Sequence, residues 1–114
     1  MARTRQSCYK VEFSTNIRGH HIYKDSWRPT IGGVLQCRRD ETAQRFDKNA
    51  VGVFKADELV GHLPRQISTI IAQYLDVSEH NTLTAVVSGK RKREGGEGLS
   101  VPAKFSATDN TNLI

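Results

Sequence analysis

Two features common in membrane proteins and metalloenzymes are missing from this sequence: a long apolar run and a set of closely spaced metal ligands. No stretch approaches the roughly 20 apolar residues of a membrane span, and Met1 to Tyr9 contains no apolar core of a signal peptide. The chain is therefore expected to be intracellular, without membrane contact. Only two cysteines occur, Cys8 and Cys37, with no Cys-x-x-Cys pairing, so free thiols are expected rather than a disulfide. His20 and His21 are adjacent while His62 and His80 stand alone, and none has the spacing with which one element supplies a zinc site. The Gly-x-x-x-x-Gly-Lys-Ser/Thr phosphate loop is missing too, which argues against ATP binding of that kind. Neither a metal nor a cofactor is expected.

Negative charge is also in short supply. Twelve Asp and Glu stand against 17 Lys and Arg, a net charge of +5, which favours a polyanionic partner without naming one. The 114 residues suffice for one domain with one core, and 37% apolar with 25% charged residues is a globular composition. A monomer is expected.

Along the chain, "MARTRQ" is polar and basic and reads as a flexible tail over residues 1–6, as does 108–114. "SCYKVEFSTNIRG" reads as a strand with a bulge or break near Ser14. Asp25, Ser26, Pro29, Gly32 and Gly33 then mark a loop leading to a strand at Val34 to Arg38, with Trp27 covering an edge of the core. "AVGVFKADELVGHLP" reads as a hairpin, Ala50 to Lys55 and Leu59 to Leu63, joined by Ala56, Asp57 and Glu58. In "PRQISTIIAQYLD" the apolar residues Ile67, Ile70, Ile71, Tyr74 and Leu75 form the stripe of an amphipathic helix over about 64–75, with Pro64 in its first turn. "TLTAVVSGKR" and "GLSVPAKFSA" read as strands flanking the exposed loop "KRKREGGEG". The sum is a mainly β fold, a small, closed or partly closed antiparallel barrel of about six strands with one flanking helix.

"IGGVLQCRRDE" followed by "FDKNAVGVFKADELVGHLPRQIS" resembles the HIRAN domain: a Gly before a strand, an acidic residue, aromatic-Asp, Asn-Ala-Val, Val-Gly-His and Pro-Arg. The resemblance places one HIRAN-like domain at 7–107. It implies a barrel related to the oligonucleotide-binding fold and, as in a fork-remodelling member of the family, binding of single-stranded DNA at a free 3′-hydroxyl end. It implies a nuclear, DNA-repair setting as well. By position, Phe46 matches the base-stacking aromatic, Asp47 the acceptor for the terminal hydroxyl, and His62 and Arg65 the groups near the end nucleotides and their phosphates. His21 stands where a phosphate-binding arginine would be. Ile22, with Tyr23 beside it, takes the place of a stacking tyrosine, and Leu99 that of a further aromatic.

Each residue also has a plainer reading. Phe46 can stack on a base or plug the barrel mouth. Asp47 can accept a hydroxyl or cap a turn at Asn49. Arg65 can present donors to a phosphate beside unpaired helix N–H groups, or be solvated. His62 follows Gly61, which permits close approach of a backbone or ligand, and can equally be a satisfied, partly buried histidine. Lys90, Arg91, Lys92 and Arg93 form an auxiliary basic arm or a charged hairpin tip. The leading function is a binding module for single-stranded DNA. The alternative is a protein-interaction domain that keeps the fold without the end pocket. A nuclease would need several converging carboxylates, and one Asp is too few.

Overall fold

Val11, Phe13, Thr15 and Ile17 occupy alternate positions of one strand, so the period-2 rule places them on one side of a sheet. The structure, a computed structural model, describes residues 10–19, 27–43, 47–93 and 99–109, with the main chain alone at 93 and 99. Its strands are β1 (Lys10–Ile17), β2 (Val34–Arg39), β3 (Val51–Lys55), β4 (Glu58–His62), β5 (Asn81–Val87), β6 (Lys92–Arg93) and β7 (Leu99–Asp109); the helix α1 (Arg65–Val77) follows β4. All pairings are antiparallel, in the order β1-β7-β5-β2-β3-β4, with the short β6 pairing the start of β7.

The ends of this order are drawn together at one residue pair. Arg18, just beyond β1, donates its N–H to the His62 carbonyl at 2.8 Å, and His62 donates back to the Arg18 carbonyl at 2.9 Å. The sheet is thereby curled into a partly closed barrel. Gly61 permits this approach: a Cβ there would lie 2.5 Å from Ile17 Cγ2 and 2.8 Å from the Arg18 carbonyl oxygen. Inside, Ile17, Leu35, Val53, Val60, Leu83, Val101 and Phe105 are buried together, and Phe13 stacks on Phe105 with ring centroids 5.3 Å apart. Trp27 joins this core rather than its edge. The Cys37 thiol is buried and free, and burial pushes its pKa up to about 12, so it is inert as a nucleophile. Cys8 lies outside the described residues.

Several local expectations need correction. β1 pairs with β7 residue for residue from Lys10 to Ile17, without a break at Ser14. Thr15 fills the slot where the apolar alternation falters, and its β-branched side chain suits a strand. The irregularity falls instead in the β3–β4 hairpin, between Val53 and Phe54. There Lys55 pairs with Glu58, so the connection is the two residues Ala56 and Asp57, with Ala56 at a φ of 57°. Part of the expected basic loop is strand, since Lys92 and Arg93 pair with Ser100 and Leu99. β7 runs on through Thr108 and Asp109, beyond the boundary expected at 107.

The helix extends to Val77; of its apolar stripe Ile71 is buried and Ile67 and Leu75 pack against the core, with Ser68 and Ala72 buried beside them, while Ile70 stays outside. Ile70 is 66% exposed; with Val11 and Phe13 of β1 it lines an open apolar groove of about 600 Å³. Ser68 and Ala72 are small, which lets the helix lie close to the sheet beside the larger Ile67, Ile71 and Leu75. Tyr74 anchors it further, its hydroxyl donating to the Thr108 carbonyl at 2.6 Å and within reach of the Thr82 carbonyl at 3.0 Å.

Candidate functional site

Between β2 and β3, residues 40–43 and 47–50 of the connecting loop are joined by main-chain hydrogen bonds. Asp40 N–H donates to the Ala50 carbonyl (3.1 Å), Asp47 N–H to the Ala43 carbonyl (2.9 Å) and Ala50 N–H to the Asp47 carbonyl (3.1 Å). A single turn of 3-10 helix, Glu41–Ala43, starts it. Arg39 at the end of β2 ties the loop to the helix, its guanidinium donating to the Lys48 carbonyl and to the Asp76 carboxylate near the end of α1. Asn49 Nδ2 approaches Thr69 Oγ1 at 3.4 Å. The described parts of this loop, 40–43 and 47–50, are therefore tied to each other and to α1.

Asp47 sits within this frame. Its Oδ1 accepts the Asn49 N–H at 3.0 Å, the Asx turn that its position before Asn49 suggests. Its Oδ2 is directed elsewhere, 3.8 Å from Arg65 Nε. Asp47 is 26% exposed and Arg65 82% exposed at the side chain, so the pair stands on a wet surface and contributes little to stability. Arg65 is the first residue of α1, preceded by Pro64, which offers no side-chain cap. Unpaired N–H groups of the first helical turn therefore lie close to Arg65, and both favour an anion.

His62 is engaged differently. Its Nε2 lies 2.6 Å from Oδ2 of Asp40, a carboxylate only 3% exposed, while the imidazole itself is 31% exposed. Asp40 Oδ1 accepts both the Thr42 hydroxyl (2.6 Å) and the Thr42 N–H (3.1 Å). Burial pushes the Asp40 carboxyl up, but the hydrogen bonds from Thr42 and His62 and the charge of His62 outweigh it, holding the group below the usual carboxylate range. The plainer reading of His62 is thus realised on one side of the ring; the other side remains accessible.

Of the residues singled out from sequence, the fold brings Asp47 and Arg65 together, with His62 at the end of β4. Lys90, Arg91 and Lys92 are exposed on a separate part of the surface, and Arg93 lies in β6. Phe46, His21, Ile22 and Tyr23 lie outside the described residues, as does the side chain of Leu99. Sequence reasoning missed Asp40 as the partner of His62. It stands in "CRRDE", where two preceding arginines make it look like one more surface charge. Arg28 was missed as well. Among the described residues, no group of three or more His, Cys, Asp or Glu is placed to hold a metal ion. The arrangement offers a hydroxyl acceptor, Asp47 Oδ2, next to cationic donors.

No curated protein sequence matches the chain. The crystal structure of the HIRAN domain of human HLTF is similar in fold, with a TM-score of 0.67 over 87% of this chain and 76% of that one, at 18% identity. The sequence model described as HIRAN domain matches residues 10–107, which takes in every described strand from β1 into β7, the loop that carries Asp47 and the helix that begins at Arg65. With nearly the whole chain covered, the protein belongs to the HIRAN domain family.

Proposed function

We propose that the protein is a nucleic-acid-binding module without catalytic activity that takes single-stranded DNA at a free 3′-hydroxyl end. Membership in the HIRAN family supports the nucleic-acid partner. The observation that carries the end preference is the position of Asp47 Oδ2, 3.8 Å from Arg65 Nε and clear of the turn that occupies Oδ1. A carboxylate repels phosphate, so on a surface built only to grip a backbone it is out of place. A terminal hydroxyl, by contrast, donates a hydrogen bond to it, and a bond to a charged acceptor contributes about 1.5–3 kcal/mol. Arg65 and the α1 N-terminus then meet the adjoining phosphate, and His62, oriented by Asp40, offers its exposed edge to the end nucleotide. Phe46, next to Asp47 in the chain, supplies the ring on which the last base stacks. His21 and Tyr23 complete the contact set. The domain acts as a monomer, and a nuclear role in handling DNA ends follows from this reading.

Fluorescence polarisation with three oligonucleotides of one sequence tests it, one ending in a 3′-hydroxyl, one in a 3′-phosphate and one duplexed to a blunt end. The expected order is 3′-hydroxyl single strand tightest and blunt duplex weakest. Equal affinity for the two single strands would refute end recognition.

A further inference from the structure

A second cationic site lies away from the Asp47 and Arg65 pair. Arg28, Pro29, Lys90 and Arg91 line one cavity of about 430 Å³, and no carboxylate is among the described residues that line it. Arg28, Lys90 and Arg91 are all exposed. They come from segments far apart in sequence, and the fold holds both in place. Trp27 is buried in the core and Pro29 restricts the backbone of Arg28 to extended conformations, so Arg28 is presented from a fixed stem. Gly32 N–H donates to the Val87 carbonyl at 2.8 Å and Val87 N–H to the Gly33 carbonyl at 2.9 Å, which fastens this segment to the end of β5. On the other side Ser88 N–H donates to the Pro102 carbonyl at 3.0 Å. Gly89 packs so closely on Pro102 that a Cβ would lie 3.0 Å from its Cγ. Arg28 and Lys90 bring like charge to this one concavity, a setting that attracts an anion.

Strand register connects this cavity to the first site. His62 pairs with Arg18 at the end of β1, Ile17 faces Val101 of β7, and Ser100 faces Lys92 of β6, next to Arg91 and Lys90. That is three steps between neighbouring strands at ~4.8 Å each, a path on the order of 15 Å. We infer that the Arg28, Lys90 and Arg91 cavity is a second phosphate site, which holds the backbone of a single strand upstream of the nucleotide bound at Asp47. This rests on the proposed DNA-end reading, and it extends the contact from a terminal pocket to a track, within the roughly 4–16 nucleotides that one barrel of this kind covers.

The test is the double variant Arg28→Gln, Lys90→Gln, both at exposed positions, with its melting temperature as the control for folding. Polarisation is read with a 3′-hydroxyl dinucleotide, too short to reach the cavity, and with a 3′-hydroxyl single strand of roughly 12 nucleotides. The expected result is unchanged binding of the short strand, about tenfold weaker binding of the long one, and a salt dependence shallower by about 1.4, or 0.7 for each of two lost contacts. Long-strand binding equal to that of the wild type, or the same loss on both lengths, would overturn the second site. Binding to vesicles of phosphatidylserine and phosphatidylcholine that the variant loses, with its oligonucleotide binding intact, would also overturn it in favour of a lipid surface. If the wild type does not distinguish 3′-hydroxyl from 3′-phosphate while the variant loses the long strand, end recognition fails and the second site stands. A wild type that binds neither strand refutes both.

Discussion

His62 Nε2 lies 2.6 Å from Asp40 Oδ2, and the main chain of the same histidine bridges the two ends of the sheet at Arg18. One residue therefore joins a buried carboxylate, the seam of the sheet and the candidate site. Because the folded state holds the Asp40 carboxyl below its unfolded value of about 3.9, its stabilisation is present above that pH. It is lost as pH falls through the folded value. Asp40→Asn, which removes the charge but keeps the size, is expected to lower stability at neutral pH by about 1–3 kcal/mol. It is also expected to flatten the acid limb of the stability curve below about pH 5. Denaturant melts across that range check both; an acid limb as steep as in the wild type would exclude Asp40 as a source of it.

Gly61→Ala is expected to destabilise the protein by about 1–3 kcal/mol. The added methyl would meet Ile17 Cγ2 and the Arg18 carbonyl, and that carbonyl belongs to the backbone and cannot rotate away. A thermal melt reads the effect, and a wild-type melting temperature would mean that the seam is looser than drawn.

Asp47→Asn separates the two jobs of this side chain. Asparagine retains an oxygen for the Asn49 N–H, so the turn and the melting temperature are expected to persist. Without the negative charge, 3′-phosphate ends are expected to bind better than to the wild type, and the preference for 3′-hydroxyl to shrink. An unaltered preference in a folded variant would leave Asp47 as a turn residue alone.

Arg65→Ala removes a side chain that is largely in water, so stability is expected to change by less than about 0.5 kcal/mol. Affinity for all single strands is expected to fall alike, and the slope of log affinity against log salt to lessen by about 0.7. Titrations at several salt concentrations give the slope directly; an unchanged slope removes Arg65 from the phosphate contacts.

Alternation and turn residues were enough to locate the described strands other than the two-residue β6, because a half-buried strand must alternate and turn residues fall between strands. The helix was legible too, and most of its stripe faces the core, with two residues as exceptions to the pattern. Ile70 is apolar and faces an open groove, whereas Ser68 is polar and buried against the sheet, and only the packing decides between them. Asp47 and Arg65 belong to a local motif and could be read from the chain. The Asp40 to His62 contact and the meeting of Arg28 with Lys90 depend on the curl of the sheet, which places residues distant in sequence side by side. No periodicity encodes that.

The pairing of Arg18 with His62 bears on how the molecule breathes. Every other neighbouring pair in the strand order β1-β7-β5-β2-β3-β4 is joined by a ladder, while β1 and β4 meet, among the described residues, through that one bridge. Parting there leaves the ladders of both wings intact, which makes it a candidate for sub-global opening. A strand bound across His62 and Arg18 would staple the wings together, and the amide protons of these two residues would then exchange more slowly with solvent than in the free protein. On the proposed reading, binding across this seam and its closure favour each other, because the bound strand adds affinity for the closed form alone.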